Sequence, residues 1–271
     1  MTWWCSAQGL PWDWTWRPYP GVWILLAALI TWRVAAVRKE SGYTRVLLYL
    51  SGVLVLWLAA DWPLGALGAG YLLSAHTAQY LLFTLVAPPL LIAGTPPSAL
   101  RRMIRPSWAS SIARFLNRPL VAFAVFNAVL LASHLPTVVD GLMTSQIGSF
   151  AIDMAWLVAG FVFWWQVFGP LPELGALPYP GRIAFLIMNI FIPTVPAAFL
   201  TFADYPIYAL YELAPPIGNI SARDDQQVAG LMMKIVGALI IFGTASALYF
   251  KWTRREGASE EPEIVLPEFR V

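Results

Sequence analysis

Apolar residues along this chain fall into long blocks separated by short polar, proline- or glycine-containing joints. Seven of these blocks come near the ~20 residues a helix needs to cross the hydrocarbon core of a bilayer. They run over Tyr19–Val37, Tyr43–Ala60, Leu67–Ala93, Leu120–Leu135, Ile147–Phe168, Arg182–Ala203 and Val228–Trp252, the fourth being the shortest. The pattern predicts an all-α fold, an integral membrane bundle of seven transmembrane helices that makes one domain over residues 1–255. The remainder, 256–271, is an acidic tail with the composition of a disordered segment. Between the third and fourth blocks, Trp108, Ile112, Phe115 and Leu116 recur at helical spacing among arginines. That spacing predicts an amphipathic helix lying on the inner leaflet.

Charge placement orients the bundle. Arg33, Arg38, Lys39 and Arg45 lie around the first joint, and Arg101, Arg102, Arg105, Arg114 and Arg118 lie in the third. Arg182 opens the sixth block, while Lys251, Arg254 and Arg255 close the seventh. All fall on one side, which the positive-inside rule makes cytoplasmic. The other side carries Asp13, Asp61, Asp140, Asp204, Glu212, Asp224 and Asp225, relieved only by Arg17 and Arg223. The expected topology is N-terminus outside and C-terminus cytoplasmic, in a membrane crossed many times.

Composition agrees with this and removes other classes. The chain is 59% hydrophobic and 12% charged, with 14 Trp, which is not the balance of a soluble domain. Membrane lipid is the expected surroundings, and no feature asks for nucleic acid. There is no P-loop, GxGxxG, GxSxG or CxxC motif, so neither nucleotide binding nor nucleophilic catalysis is proposed by the sequence. No internal repeat of the kind used by transporters is visible. The start, MTWWCSAQGLPWDWTW, has no basic region followed by an apolar one, so no cleavable signal is expected. The single Cys5 excludes an intrachain disulfide.

Polar groups inside the blocks are costly in a membrane and need a protein- or water-lined environment. His76, Gln79 and Tyr80 share one helical face of the third block, which ends in Pro88-Pro89. With the topology above, His76, His134, Asp153, Met232, Met233 and Lys234 all lie toward the outer leaflet. Each has a structural reading beside the functional one. The histidines can join helices; Asp153 and Lys234 can neutralise each other; Asn127 and Asn189 can bond neighbouring helices; the methionines can be packing. The functional reading is a copper site. Imidazole nitrogen with thioether sulfur suits copper, thioether favouring Cu(I), whereas two histidines without a Cys or Glu cluster are poor for zinc. His76, His134 and Met233 are the candidate ligands, with Gln79, Tyr80, Asn127, Asp153 and Lys234 as supporting polar groups. Cys5 would add a thiolate if the N-terminal segment folds back.

The pattern resembles the CtaG-like cytochrome c oxidase assembly factors, polytopic bacterial membrane proteins. The resemblance spans nearly the whole chain: DWTWRPYPGVWILL, HTAQYLLFTLVAPPLLIAGTP, FNAVLLASHLP, FVFWWQVFGPLP and DDQQVAGLMMK match family segments in order. It implies a part in maturing the copper-containing oxidase, with copper handled at the outer face, oxidase subunits as partners and a periplasmic copper donor. His76 and His134 fall on motif histidines, and Gln79, Gln226, Gln227 and Met233 on other motif positions. Tyr80 stands where the family pattern has a second histidine, and Lys234 where an aromatic is expected. Two further readings stay open beside copper delivery: a metal-free scaffold or accessory subunit of the oxidase, and a proton or small-molecule carrier using Asp153 and Lys234. A retinal protein, suggested by a lysine in the seventh block, lacks a carboxylate counter-ion in the third.

Overall fold

The computed structural model describes residues 2–36 and 42–259, and these form helices without strands. Arg38, Lys39 and residues 260–271 of the tail lie outside the described residues. In chain order the helices are α1 (Pro20–Ala36), α2 (Tyr43–Ala60), α3 (Leu64–Gly70) and α4 (Leu73–Gly94). They continue as α5 (Pro97–Met103), α6 (Ser107–Leu116), α7 (Pro119–Ser133), α8 (Pro136–Leu142) and α9 (Gln146–Phe168). Last come α10 (Tyr179–Phe202), α11 (Ala209–Glu212) and α12 (Ala222–Ser259). Five helices, α2, α4, α9, α10 and α12, are long and apolar enough to cross a membrane. A sixth span results if α6 and α7, bent by 82° at their joint, count together, and α1 is apolar but only 17 residues long.

The third apolar block is not one helix. It breaks at Leu72, whose backbone is extended, so that α3 lies before α4 as a separate element. Glycine-rich α3, LGALGAG, has weak helix propensity but packs very closely. A Cβ on Gly65 would run into the Ala60 carbonyl and the Cys5 sulfur, and one on Gly68 into the Gln79 carboxamide. The start of α4 takes its cap from a distant residue: the Asp225 carboxylate accepts from the Leu73 N–H at 2.6 Å and the Ser74 N–H at 3.2 Å. A carboxylate there satisfies orphan donors and complements the helix dipole.

Within α4 the backbone widens to a π-turn over Leu82–Val86, just before Pro88-Pro89. Pro88 cannot donate to the carbonyl four residues back, that of Thr84. The freed carbonyl instead accepts the Trp164 indole N–H from α9 at 3.0 Å. Gly160 allows that approach, because a Cβ there would strike the Thr84 carbonyl and the Pro88 ring. α7 ends early for a related reason: Leu135 precedes Pro136 and is driven to extended backbone, which stops the helix at His134.

α4 is the centre of the bundle. Its apolar window is 67% buried, against 28–33% for α2, α10 and α12 and 61% for α9. α2, α3, α9 and α12 pack around it; α10 lies along α12, and α7 bridges α9 and α10. The seventh apolar block is the core of the longer α12, whose last turns take in residues the sequence reading gave to the tail. The amphipathic helix is present as α6, with no buried residue and with Trp108, Ile112 and Phe115 exposed.

Candidate functional site

The polar face of α4 turns inward. His76, Thr77, Gln79 and Tyr80 are all buried. The His76 ring lies 4.8 Å from Trp156 of α9 and 6.0 Å from Tyr211 of α11, between ring centres. One turn on, Tyr80 sets its ring edge-on against His134 at 5.2 Å and against Trp156 at 5.5 Å. The Trp156 indole N–H donates to Ser133 Oγ at 2.8 Å, beside the residue that ends α7. Two imidazoles, a phenol and an indole therefore meet where α4, α7, α9 and α11 come together.

His134 is oriented by its backbone surroundings. Its Nδ1 lies 2.7 Å from the Leu130 carbonyl. A carbonyl can only accept, so Nδ1 holds the proton and Nε2 keeps its lone pair. That arrangement, with the far ring nitrogen anchored, is how ligating histidines are usually held. The Tyr208 hydroxyl donates to the His134 carbonyl at 2.9 Å, and the Tyr211 hydroxyl donates to that of Gly68 at 2.6 Å. His134 Nε2 and both ring nitrogens of His76 are buried with no hydrogen-bond partner. Buried polar atoms left unpaired cost about 1–3 kcal/mol each, so three on two neighbouring imidazoles call for a ligand or ordered water.

The other expected site residues divide. Met233 is buried and lines, with Tyr80, Pro193 and Lys234, a cavity of about 20 Å³ in which neither histidine takes part. Room of that size holds about one water. The Gln79 carboxamide donates to the Ala59 carbonyl at 2.8 Å, leaving its oxygen unpaired. Asn127 donates to Asn189 Oδ1 at 2.8 Å and so ties α7 to α10.

The expected Asp153–Lys234 pair does not form. Asp153 accepts the Trp4 indole N–H at 2.8 Å, because the N-terminal segment folds back into the bundle and buries Trp4 and Cys5. Lys234 is exposed and reaches Thr194 Oγ1 at 2.5 Å, its long stem carrying the charge outward. Cys5 donates to the Ala60 carbonyl at 3.1 Å, and burial, with Asp153 and Asp61 nearby, pushes its thiol well above the usual range. It is a protonated thiol in this fold. Among the described residues no group of three His, Cys, Asp or Glu side chains is placed to hold one metal ion.

Several residues that build the site escape a reading of the sequence. Trp156 and Ser133 sit among apolar neighbours and look like packing. Asp225 and Gln226 belong to the DDQQ run, yet their task lies far along the chain. Asp225 caps α4, and Gln226 accepts from the Ile207 N–H at 2.7 Å, fastening the loop that carries Tyr208 and Tyr211. Asp140 likewise accepts from the Leu210 N–H at 3.0 Å, at the start of α11.

Comparison with known proteins gives the family of the chain. The profile of the cytochrome c oxidase caa3 assembly factors (Caa3_CtaG) matches residues 3–255. Uncharacterized proteins of Mycobacterium bovis and Mycobacterium tuberculosis are each 25% identical over 243 residues, 82% of this chain and 36% of theirs. One of Mycobacterium leprae is 23% identical over 240 residues, 80% of this chain and 36% of its own. The chain thus spans little more than a third of the length of these relatives. No solved structure matches. With the match running from Trp3 into the last turns of α12, the chain belongs to the cytochrome c oxidase caa3 assembly factor family.

Proposed function

We propose that this protein serves the assembly of a bacterial cytochrome c oxidase by holding copper briefly near the outer leaflet and passing it on. Copper is cargo here, not a resident cofactor. The observation that carries the reading is the set of unpaired, buried ring nitrogens: Nε2 of His134, with its tautomer set by the Leu130 carbonyl, and both nitrogens of His76. Two imidazoles make an incomplete site of a donor type that suits copper, open to ligand exchange with an acceptor. Met233 is the third candidate, and the cavity it shares with Tyr80 supports a sulfur close to the cluster. Ligand exchange exchanges copper–ligand bonds and needs no covalent catalysis, so this reading is not enzymatic.

The proposed setting is the inner membrane, with seven spans once α1 and α7 are included and α6 lies along the surface, N-terminus outside and C-terminus cytoplasmic. The arginines of α5, α6 and their joints support that direction. Oxidase subunits are the partners, and a periplasmic protein supplies the copper. The test is genetic and chemical. A strain lacking this gene should accumulate oxidase short of copper and of activity, and a His76→Ala, His134→Ala copy should fail to restore either. Fully metallated, active oxidase in the deletion strain would remove the assembly role.

One observation favours a second reading. Tyr80 occupies the position of a family histidine and closes edge-on over His134. A phenol with an ordinary pKa near ~10 is a poor copper ligand at neutral pH. A metal-free scaffold that binds the oxidase laterally would need only the packing. Oxidase that co-purifies with the chain while the chain carries no copper after loading would favour that reading.

A further inference from the structure

The opposite end of the bundle holds a second feature that copper handling does not use. Under α6 lies an apolar hollow of about 160 Å³, walled by Ile104, Ala113 and Leu116 on one side and by Phe161, Val162 and Trp165 of α9 on the other. It runs into a neighbouring hollow of about 290 Å³ that carries Arg114 and Arg118, and the two share Asn117, Trp165 and Leu174. The result is one groove with an apolar floor and a basic mouth. Among the described residues no carboxylate lies within ion-pairing distance of either arginine. Arg114 reaches only Ser111 Oγ, at 3.4 Å, and Arg118 lies over the Phe115 ring at 5.9 Å.

The mouth is built and held. Asn117 donates to the Leu174 and Gly175 carbonyls, at 2.5 and 2.9 Å, and accepts from Gln166 at 3.2 Å. These bonds pin the α9–α10 connection against the α6–α7 corner, so the groove does not depend on mobile side chains for its walls. α6 exposes Trp108, Ile112 and Phe115 along the same helix, and α7 leaves it at 82°, which suits a helix lying in the plane of a bilayer surface.

We propose that this groove is a binding site for an anionic phospholipid, its phosphate against Arg114 and Arg118 and one acyl chain in the apolar hollow. The occupant follows from the order of the two chemistries. An extended peptide would need backbone hydrogen-bonding partners along the floor, which is apolar, and a hollow of about 160 Å³ is too small to seat the apolar face of a helix. A free anion would use the arginines and leave the apolar hollow empty. A lipid in the leaflet facing this end of the bundle fills both, and basic pockets between membrane helices are known to take anionic headgroups.

The test uses the full-length protein purified in detergent, exposed to mixed micelles containing either phosphatidylglycerol or phosphatidylcholine and then freed of excess lipid. Phosphatidylglycerol should be retained at about one molecule per chain, and phosphatidylcholine much less. The Arg114→Gln, Arg118→Gln variant should bind phosphatidylglycerol weaker by about fivefold for each arginine removed, the factor expected for a basic residue at an anionic surface. Ala113→Phe fills the apolar hollow from the exposed helix without changing charge, and should also reduce retention. The melting temperature of each variant in lipid-free detergent separates lost folding from lost binding. Equal retention of the two lipids, or full retention in the folded arginine variant, would overturn the site. Full retention in folded Ala113→Phe would overturn the acyl slot and with it the proposal.

Discussion

The Leu130 carbonyl and the Tyr208 hydroxyl hold His134 by its ring and by its backbone, while Tyr80 packs edge-on against the ring and Trp156 packs in turn on Tyr80. Ser133→Ala should therefore be felt through Trp156, whose indole N–H loses its only acceptor in this buried cluster. The expected cost is about 1–3 kcal/mol, read as a lower unfolding temperature in detergent. Gly68→Ala should cost a similar ~1–3 kcal/mol by overpacking, because the new methyl meets the Gln79 carboxamide and the His76 backbone. Cys5 should resist alkylation at neutral pH in the folded protein and react once it is unfolded, since burial keeps the thiol both covered and protonated. At this scale the sequence tells only part of the story. Two histidines in apolar blocks are conspicuous, and Asp153 is too. That Asp153 meets Trp4 and not Lys234 depends on the N-terminal segment folding into the bundle, and no periodicity encodes that.

The elements were legible as apolar lengths and illegible at their interruptions. A run such as Ile147–Phe168 has one outcome in a bilayer, and α9 follows it closely. The third block hid two events, both fixed from elsewhere in the chain. Asp225, on α12, decides where α4 starts, and Trp164, on α9, satisfies the carbonyl that Pro88 releases. Trp164→Phe should leave the Thr84 carbonyl buried and unpaired, at about 1–3 kcal/mol, a loss that the same unfolding measurement would register. Asp225→Ala should cost about 0.5–2 kcal/mol as a lost cap and should raise hydrogen exchange at the Leu73 and Ser74 amides first. Protection at those amides unchanged in Asp225→Ala would mean that the cap is not what sets the helix start.

Across the whole molecule, the two ends carry different chemistry. One gathers His76, His134, Tyr80 and the loop tyrosines; the other gathers arginines and the groove under α6. The proposed orientation rests on that asymmetry and on the charge count, and reporter fusions test it. A fluorescent protein fused after Arg255 should fluoresce, and an alkaline phosphatase fused there should be inactive. An active phosphatase at that point would invert the topology and put the histidines on the wrong side to meet a periplasmic donor. The most direct measurement is copper bound per purified chain after loading with Cu(I) under reducing conditions. The wild-type chain should retain copper, His76→Ala and His134→Ala should each lose most of it, and Thr244→Val, whose hydroxyl bonds only the Ile240 carbonyl of its own helix, should keep it. Undiminished copper in both histidine variants, or none in the wild type, would contradict copper handling at this cluster.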